Sequence, residues 1–405
     1  MKIKLLALIA LLSAGVFAAS PVSSIRCQQR WPWNGKVDIT YTLTKTTTKT
    51  TSVFSVKLYG KIANGTTFEL TNIEGDATTG IVLGDGPKRT TWDARAQLGS
   101  DVDSDEVKVA VVAEDVTTKA TYLKLDLTSY QMTTSLTGPS VDEGASTKYA
   151  ELWFRRIEPG TFVMGSSTNE LGRWTTSEEV HTVTLSKAYY IGVFELTEGQ
   201  YNRINADGTS TAVVPQGSIS YSTLRGASYG ATWPVPNDHR VDSDSFFGKL
   251  RTKTGNGLIF DLPTDAQWEA AARWKGTTGN ATNDYYGSSV WNNGVAFNSS
   301  YSGLGDVAWY TGNSDNKAHE VGLKVPSTIG TYDMHGNVLE WCLDWFVKDI
   351  TSYVSDPEGP ASGTFRLARG GSYGLSADYC RMARRAGTTP SDANTDLGCR
   401  VALVP

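Results

Sequence analysis

The sequence contains few cysteines and histidines, two residue types that often take part in catalysis. Its 405 residues include four cysteines and four histidines, and its formal net charge is −5 at pH 7. Binding to duplex nucleic acid depends mainly on neutralising phosphates with Lys and Arg, so this acidic balance argues against a nucleic-acid partner. The chain also lacks a phosphate-binding glycine loop and an H-E-x-x-H motif. These absences argue against the nucleotide hydrolases and zinc proteases that carry them.

Long apolar runs are absent after the N-terminus. Lys2 and Lys4 precede the apolar run LLALIALLSAGVF, and the small residue Ala18 follows it with Val16 two positions earlier. This pattern predicts a secretory signal over residues 1–18, cleaved after Ala18. No later stretch approaches the roughly 20 apolar residues of a transmembrane helix. We therefore expect a secreted or periplasmic protein with no membrane span.

The four cysteines are Cys27, Cys342, Cys380 and Cys399. In an oxidising compartment four cysteines allow three full disulfide pairings, and their spacing does not choose among them. A buried thiol or an ordinary disulfide is the default expectation for each cysteine.

Alternating apolar residues mark the first part of the chain as β structure. Val37, Ile39, Tyr41 and Leu43 alternate with polar residues, which predicts a half-buried strand. Further β-prone runs lie at 51–62, 66–73, 80–94 and 106–115, separated by turn residues. Short strands at this spacing predict an all-β, immunoglobulin-like sandwich over residues 19–131.

A second domain is predicted over residues 149–405, after a Gly-, Ser- and Thr-rich linker at 132–148. Two capping boxes start helices within it, one at Thr197 with Gln200 and one at Thr264 with Gln267. A third helix is expected over 244–253, ended by Gly255. Residues 276–324 are rich in Gly, Asn, Ser and Tyr and lack periodicity, which indicates a long ordered loop.

Five motifs in the second domain occur together and in order. They are PGTFVMGS, HTVTLSKAYYIGVFELTEGQY, LPTDAQWEAAAR, GTYDMHGNVLEWCLDWF, and ARGGSY with CRMARR and GCRVAL. Over about residues 150–403 the chain resembles the formylglycine-generating enzyme family, also called sulfatase-modifying factor domains. The resemblance implies a C-type-lectin-like fold of the α+β class with much irregular loop. The β-sandwich domain that precedes it lies outside the resemblance.

The family converts a substrate cysteine to formylglycine with oxygen and with copper(I) held by two cysteines. The resemblance places this pair at Leu375 and Cys380. A leucine offers copper no lone pair, so copper(I) is not expected and Cys380 is an unpaired catalytic candidate. Ser372, Leu375 and Tyr379 match positions that line the family's cleft, so a binding cleft is expected to survive. Cys399 stands where the family has phenylalanine, and we expect it to pack in the core.

The stretch YDMHGNVLEW resembles the family's calcium loop. The resemblance implies ligation by the side chains of Asp333 and Glu340 and by the backbone carbonyls of Gly336 and Val338. Oxygen ligands from an irregular loop suit calcium. The alternative is that Glu340 and Asp344 only pair with arginines.

These features favour an exported binding module that lacks the copper site. Residues 374–379 and 387–396 would form its ligand surface, and the ligand would be an exported protein, a peptide or a glycan. Six arginines between residues 366 and 400 favour an acidic or sulfated ligand, unless they pair internally with Asp378, Asp392 and Asp396. The alternative function is an oxidoreductase that uses Cys380 on a sulfatase cysteine. A third reading is a structural envelope scaffold with no ligand.

Overall fold

The computed structural model describes residues 5–7, 21–30, 34–46, 51–62, 67–99, 107–139, 144–168, 170–206, 208–228, 232–233, 239–273, 303–348 and 354–404. These residues form a mixed α and β protein that consists mostly of strands and loops. None of the described helices combines the length and the apolar character needed to cross a lipid bilayer.

Two sheets form the first part of the chain. One contains, in order, Leu5–Ala7, Val107–Asp115, Val53–Ile62 and Thr67–Glu69, with Ile81–Leu83 also paired to Val53–Ile62. The other contains Val22–Gln29, Lys36–Leu43, Gly86–Asp93 and Ile73–Gly75, and a short helix follows at Ala94–Leu98. Of the predicted leader, the structure describes only the strand Leu5–Ala7, which pairs in parallel with Val107–Val109.

The alternating strand packs as its sequence predicts. Val37, Ile39, Tyr41 and Leu43 are all buried, and the intervening residues are more exposed. They share one apolar cluster with residues of the other sheet, among them Leu58. The two sheets therefore enclose a common core. The finer assignments, an immunoglobulin-like sandwich here and a C-type-lectin-like domain after it, stay predictions.

A six-stranded antiparallel sheet organises the second part of the chain. Its strands, in order, are Met132–Ser135, Tyr122–Asp126, Glu151–Ile157, Tyr189–Gly192, Ala402–Val404 and Ile259–Asp261. Strands from both sides of the predicted boundary at residue 131 thus lie in one sheet, and the predicted linker over 132–148 contains one of them. The domain boundaries stay predictions, but hydrogen bonding ties the chain on either side of them together.

Smaller sheets and short helices surround this sheet. The strands Gly160–Met164 and His181–Leu185 pair, as do Ala308–Trp309 and His335–Gly336. A four-stranded sheet has the order Ala386–Thr388, Arg366–Arg369, Leu339–Trp345 and Leu397–Gly398. After Ala94–Leu98, the α-helices of the described residues are Ser146–Tyr149, Glu198–Ala206, Tyr221–Arg225, Phe246–Lys253, Asp265–Arg273 and Leu304–Val307, and 3-10 turns lie at Thr117–Lys119 and Ala377–Cys380.

Both predicted capping boxes are present. The Thr197 amide donates to Gln200 Oε1 at 3.0 Å, and the Gln200 amide donates back to Thr197 Oγ1 at 3.2 Å. Thr264 and Gln267 exchange the same two bonds at 2.9 and 3.2 Å. Each box satisfies two N–H groups that a helix start would otherwise leave unpaired.

The other two predictions for the second domain are met in part. The third predicted helix begins at Phe246 rather than Asp244, because Ser245 is its N-cap. Gly255 follows its end with a φ of 74°, a backbone conformation that favours glycine. Of the predicted long loop, residues 276–302 lie outside the described residues.

Candidate functional site

Buried ion pairs fix residues 366–403, called the C-terminal run below, to the helix Asp265–Arg273. The Arg369 guanidinium is fully buried, and its Nε donates to Asp265 Oδ1 at 2.6 Å while Nη2 donates to Glu269 Oε2 at 2.8 Å. Arg385 Nε binds the second oxygen of Asp265 at 2.9 Å. Burial disfavours the charged form of Asp265, but the Arg369 and Arg385 guanidiniums outweigh it and lower the pKa of that carboxyl. Two points of the run are thus held by one aspartate.

A third arginine, Arg381, draws the loop over residues 165–179 onto the run. Arg381 donates to Glu178 at 2.7 Å, to Glu170 at 3.0 Å and to the Gly172 carbonyl at 2.6 Å. These bonds place Trp174 beside the run, with its ring centroid 6.5 Å from that of Tyr379. Trp174 keeps 48% of its surface exposed. The structure therefore joins an exposed aromatic ring to a residue of the predicted cleft.

All six arginines of the run are buried: Arg366, Arg369, Arg381, Arg384, Arg385 and Arg400. Most are bound inside the protein, which is the internal pairing that the sequence left open. Their partners, however, are not the predicted aspartates but Glu170, Glu178, Asp265, Glu269 and Glu340. The predicted aspartates accept bonds from neighbouring polar groups instead. The run is therefore not a basic surface, and an acidic ligand loses its support.

The predicted cleft residues lie along one turn that follows the glycine pair. Gly371 has a φ of 77°, and a Cβ on it would lie 2.8 Å from Cys380 Sγ, so only glycine fits there. Ser372 is buried and donates to Asp396 Oδ2 at 2.6 Å. Leu375 is half-buried, and its carbonyl accepts from the Thr311 amide at 3.0 Å. The Ser372 bond brings the start of the 374–379 stretch next to the end of the 387–396 stretch.

Cys380 is enclosed by apolar groups. It is fully buried in a cluster with Leu304, Val307 and Ala308, and its carbonyl lies 2.6 Å from His335 Nδ1. Burial raises the pKa of the Cys380 thiol far above its ordinary value. The sulfur is therefore a neutral thiol and not a thiolate.

Each of the four cysteines is a free thiol in the structure. Cys342 and Cys399 are buried, and Cys27 is half-buried. Cys399 packs in the large apolar cluster of the second part of the chain, which confirms the core position expected for it.

The predicted calcium loop contains one oxygen atom that has no partner. Asp333 is buried with a φ of 56°; its Oδ2 accepts from the Gly322 amide at 2.7 Å, and its Oδ1 has no hydrogen-bond partner. Burial, with the nearby charge of Glu340, raises the pKa of Asp333 to about 6. A buried carboxylate oxygen without a partner is costly unless something binds it.

Glu340, the other predicted side-chain ligand, is held by protein groups. Arg400 binds both of its oxygens, with Nη2 donating to Oε1 at 2.6 Å and Nε to Oε2 at 3.0 Å. Trp268 Nε1 donates to Oε2 at 2.6 Å. This is the arginine pairing that the sequence left open as an alternative for Glu340.

One residue of this cluster was missed from the sequence. Glu195 is fully buried, and its two oxygens accept from the Val338 amide at 3.0 Å and from Asn337 Nδ2 at 2.7 Å. Burial, with the charges of Asp333 and Glu340, raises the pKa of Glu195 well above its ordinary value. Its signal was a lone acid inside the apolar run IGVFEL. Three carboxylates therefore share this region with the single guanidinium of Arg400.

The donor set fits calcium in part. Three buried carboxylates and a free Asp333 oxygen suit a hard cation that takes six to eight oxygens. Among the described residues, however, no group of three or more His, Cys, Asp or Glu side chains is arranged to hold a metal ion. Any cation here would need backbone carbonyls as well, and Gly336 and Val338 are the two implied by the resemblance.

A comparison with protein families decides the identity of the second part. The model of the sulfatase-modifying factor enzyme 1-like domain matches residues 147–404. The chain belongs to this family. The matched residues include every predicted site residue.

Relatives of this sulfatase-modifying factor protein include formylglycine-generating enzymes. That of Thermomonospora curvata is 34% identical over 157 residues, which are 36% of this chain and 49% of the relative. That of Mus musculus is 31% identical over 280 residues, which are 61% of this chain and 73% of the relative. The chain therefore spans about half the length of the Thermomonospora relative. Among solved structures, Treponema denticola variable protein 1 aligns with a TM-score of 0.48 and 27% identity, covering 66% of this chain and 99% of that one.

Proposed function

We propose that this protein is an exported, ligand- or protein-binding member of the sulfatase-modifying factor family that lacks the two-cysteine copper site. The observation that carries the proposal is the pair of positions 375 and 380, which hold a leucine and a fully buried thiol. Copper(I) needs soft sulfur ligands, and thiolate rather than thiol is the ligand and nucleophile. Leu375 supplies no sulfur, and Cys380 holds its proton.

The alternative function, oxidation of a sulfatase cysteine through Cys380, is less well supported. A mixed disulfide with a substrate needs an attacking thiolate that the substrate can reach. Cys380 meets neither condition because Gly371 and the apolar residues around it cover the sulfur. The similarity to formylglycine-generating enzymes supports family membership.

The ligand surface that we propose contains an aromatic pair with a cation between its rings. The Arg384 guanidinium lies 3.4 Å from the centroid of Trp174 and 4.1 Å from that of Tyr379. Stacking on a guanidinium restrains both rings, and an exposed aromatic on a restrained loop contributes contact area at low entropic cost. This arrangement suits an exported protein, a peptide or a glycan as ligand, presented to loops on a rigid core.

We also propose a structural calcium ion in the loop over residues 333–340. Asp333 and Glu340 would supply carboxylate oxygens, and Gly336 and Val338 would supply backbone carbonyls. The unpartnered Asp333 Oδ1 and the excess of buried carboxylate over guanidinium support this proposal. A divalent cation would offset charge that a single arginine leaves uncompensated.

A peptide assay tests the proposed loss of oxidase activity. The full chain is incubated with copper(I), oxygen and a cysteine-containing sulfatase peptide, and the aldehyde product is sought by mass spectrometry. We expect no aldehyde from the wild type or from the control Leu375→Ala. Aldehyde from Leu375→Cys alone would support the missing ligand as the cause, whereas aldehyde from the wild type would refute the proposal.

A panel of glycans and peptides tests the binding function directly. We expect saturable binding that Trp174→Ala removes and Leu136→Ala retains, because Leu136 is equally an exposed apolar residue but lies far along the chain from the run. No saturable binding to any member of the panel would favour the scaffold reading instead.

A further inference from the structure

A second cleft lies apart from every residue discussed so far as a site. Its volume is about 350 Å³. It opens where the strand Ile259–Asp261 and the start of the helix Asp265–Arg273 meet the segment 356–358. The residues implied by the family resemblance do not line it. Its volume falls within the range of about 300–1,000 Å³ that is typical of small-ligand pockets.

A histidine in this cleft is oriented by a buried aspartate. His239 Nδ1 lies 2.8 Å from Asp261 Oδ2, and Arg225 binds the same carboxylate through Nε at 2.7 Å and Nη2 at 3.0 Å. Burial opposes the charge on Asp261, but Arg225 outweighs it and lowers the pKa of the carboxyl. A charged carboxylate only accepts, so Nδ1 carries a proton, and this bond directs Nε2 away from Asp261.

The histidine ring also packs against a tryptophan ring at a tilted angle of 38°. Its centroid lies 4.8 Å from that of Trp233, whose Nε1 donates to the Glu358 carbonyl at 3.2 Å. No described group bonds to His239 Nε2. The structure thus presents an oriented ring nitrogen in the cleft that is left for a ligand.

The other polar groups of the cleft keep capacity for a ligand. Gln267 uses its Oε1 for the Thr264 amide in the capping box, which leaves its two amide N–H donors without a partner among the described residues. Lys187, Asp356 and Glu358 all line the cleft, and within the described part of the chain none of them forms an ion pair. Asp356 accepts from the Ser186 amide at 2.8 Å and from its hydroxyl at 2.5 Å, whereas the side chains of Lys187 and Glu358 remain for a ligand.

Apolar groups complete the lining. Leu185, Ala188, Ile259, Pro357 and Val404 contribute to it, and Ile259 is 39% exposed although it lies in a strand. Arg251 already occupies one carbonyl of that strand, because it donates to the Phe260 carbonyl at 2.9 and 2.7 Å. The exposed apolar surface of Ile259 is available to an apolar side chain of a ligand.

We propose that this cleft binds a small zwitterion of the amino-acid type, as a free amino acid or a short peptide. Its ammonium would face His239 Nε2 and Glu358, its carboxylate would face Lys187 and Gln267, and an apolar side chain would cover Ile259. A zwitterion complements Lys187 and Glu358 at once, whereas a neutral or singly charged ligand would leave one of these two side chains without an ionic partner in the cleft. The inference is independent of the proposed function because it uses none of the same residues.

Calorimetric titration of the full chain with L-leucine and with L-leucyl-L-leucine tests the proposal. N-acetyl-L-leucine and L-leucinamide, which each lack one charge, are the matched probes. We expect saturable binding of L-leucine or of the dipeptide, and at least about tenfold weaker binding of each matched probe, since charge-assisted hydrogen bonds are lost. Tighter binding of L-leucine would identify the ligand as a free amino acid, and tighter binding of L-leucyl-L-leucine would identify it as a short peptide.

Three variants test which side chain of the cleft binds each charged group of the ligand. Lys187→Met should weaken L-leucine about tenfold and remove the preference over L-leucinamide, and Glu358→Gln should do the same with respect to N-acetyl-L-leucine. Lys45→Met, an exposed lysine of the first part of the chain, should leave both affinities unchanged. Because these changes lie at the surface or in the cleft, an unaltered melting temperature checks the fold. Absence of heat with both ligands at millimolar concentration, equal affinity for the acetylated probe, or unchanged affinity in both cleft variants would overturn the proposal.

Discussion

Replacing Asp265 by asparagine tests how the C-terminal run is held. Asp265 is fully buried, and its two oxygens bind the guanidiniums of Arg369 and Arg385. Asparagine has nearly the same size, but it is neutral and turns an N–H₂ group toward one of these guanidiniums. The substitution therefore leaves buried positive charge without its shared partner while it changes the packing volume very little.

The loss of stability expected for Asp265→Asn depends on the bonds that the arginines keep after the substitution. Breaking a buried ion pair by removing one partner costs about 3–5 kcal/mol. Arg369 would keep Glu269 at 2.8 Å and the Met382 carbonyl at 2.8 Å, so we expect the lower end, about 3 kcal/mol. At about 2–4 °C per kcal/mol for a unit of this size, the melting temperature should fall by about 6–12 °C.

Urea unfolding followed by tryptophan fluorescence measures the loss, because Trp268 and Trp341 are buried in the same part of the chain. Glu198→Gln is the matched control: it also removes a first-turn acid from a helix with a capping box, but Glu198 is exposed. It should cost no more than about 1 kcal/mol. A cost as small as this for Asp265→Asn would refute the reasoning that one carboxylate holds the run.

The stability difference between wild type and Asp265→Asn should depend on pH. The folded pKa of Asp265 lies below its unfolded value of about 3.9, so its contribution is present above that pH and is lost as the pH falls through the folded pKa. The difference between wild type and Asp265→Asn should therefore be constant near neutrality and shrink below about pH 4. A difference that grows in acid would contradict the assignment of the shift to the two arginines.

Two further predictions concern other buried carboxylates. Burial and the charge of Asp265 raise the pKa of Asp344 to about 7. The folded state therefore keeps a proton that the unfolded state loses, and stability should fall as pH rises from about 4 to about 7. Asp344→Asn should flatten this decline in urea midpoints measured at pH 5 and pH 8, and an unchanged slope would argue against the raised pKa of Asp344. Calcium at 100 times its dissociation constant should stabilise the chain by about 2.7 kcal/mol, or about 5–10 °C, and a chelator should reverse this. Asp333→Ala should abolish the calcium-dependent shift while the exposed Asp85→Ala retains it, and a chelator without effect at matched ionic strength would remove the calcium site.

Local sequence patterns predicted several features of the fold. Alternation at Val37–Leu43 predicted which side chains are buried, because successive side chains of a strand point to opposite faces whatever the strand packs against. The capping boxes at Thr197 and Thr264 predicted where two helices begin, since the bonds join residues only three apart. A domain boundary is harder to predict from local patterns. Tyr122–Asp126 has the same strand pattern as the strands before it, but it pairs with Glu151–Ile157.

The sequence by itself determined the family and the enclosed position of Cys399. Only the tertiary structure decided which groups meet: it pairs Arg369 with Asp265, 104 residues away, sets Glu195 beside Asp333, buries Cys380 and opens the cleft at His239. The physical reason is that strand alternation and helix capping act between neighbours, whereas ion pairing, desolvation and cleft lining depend on groups that folding brings together from distant points of the chain.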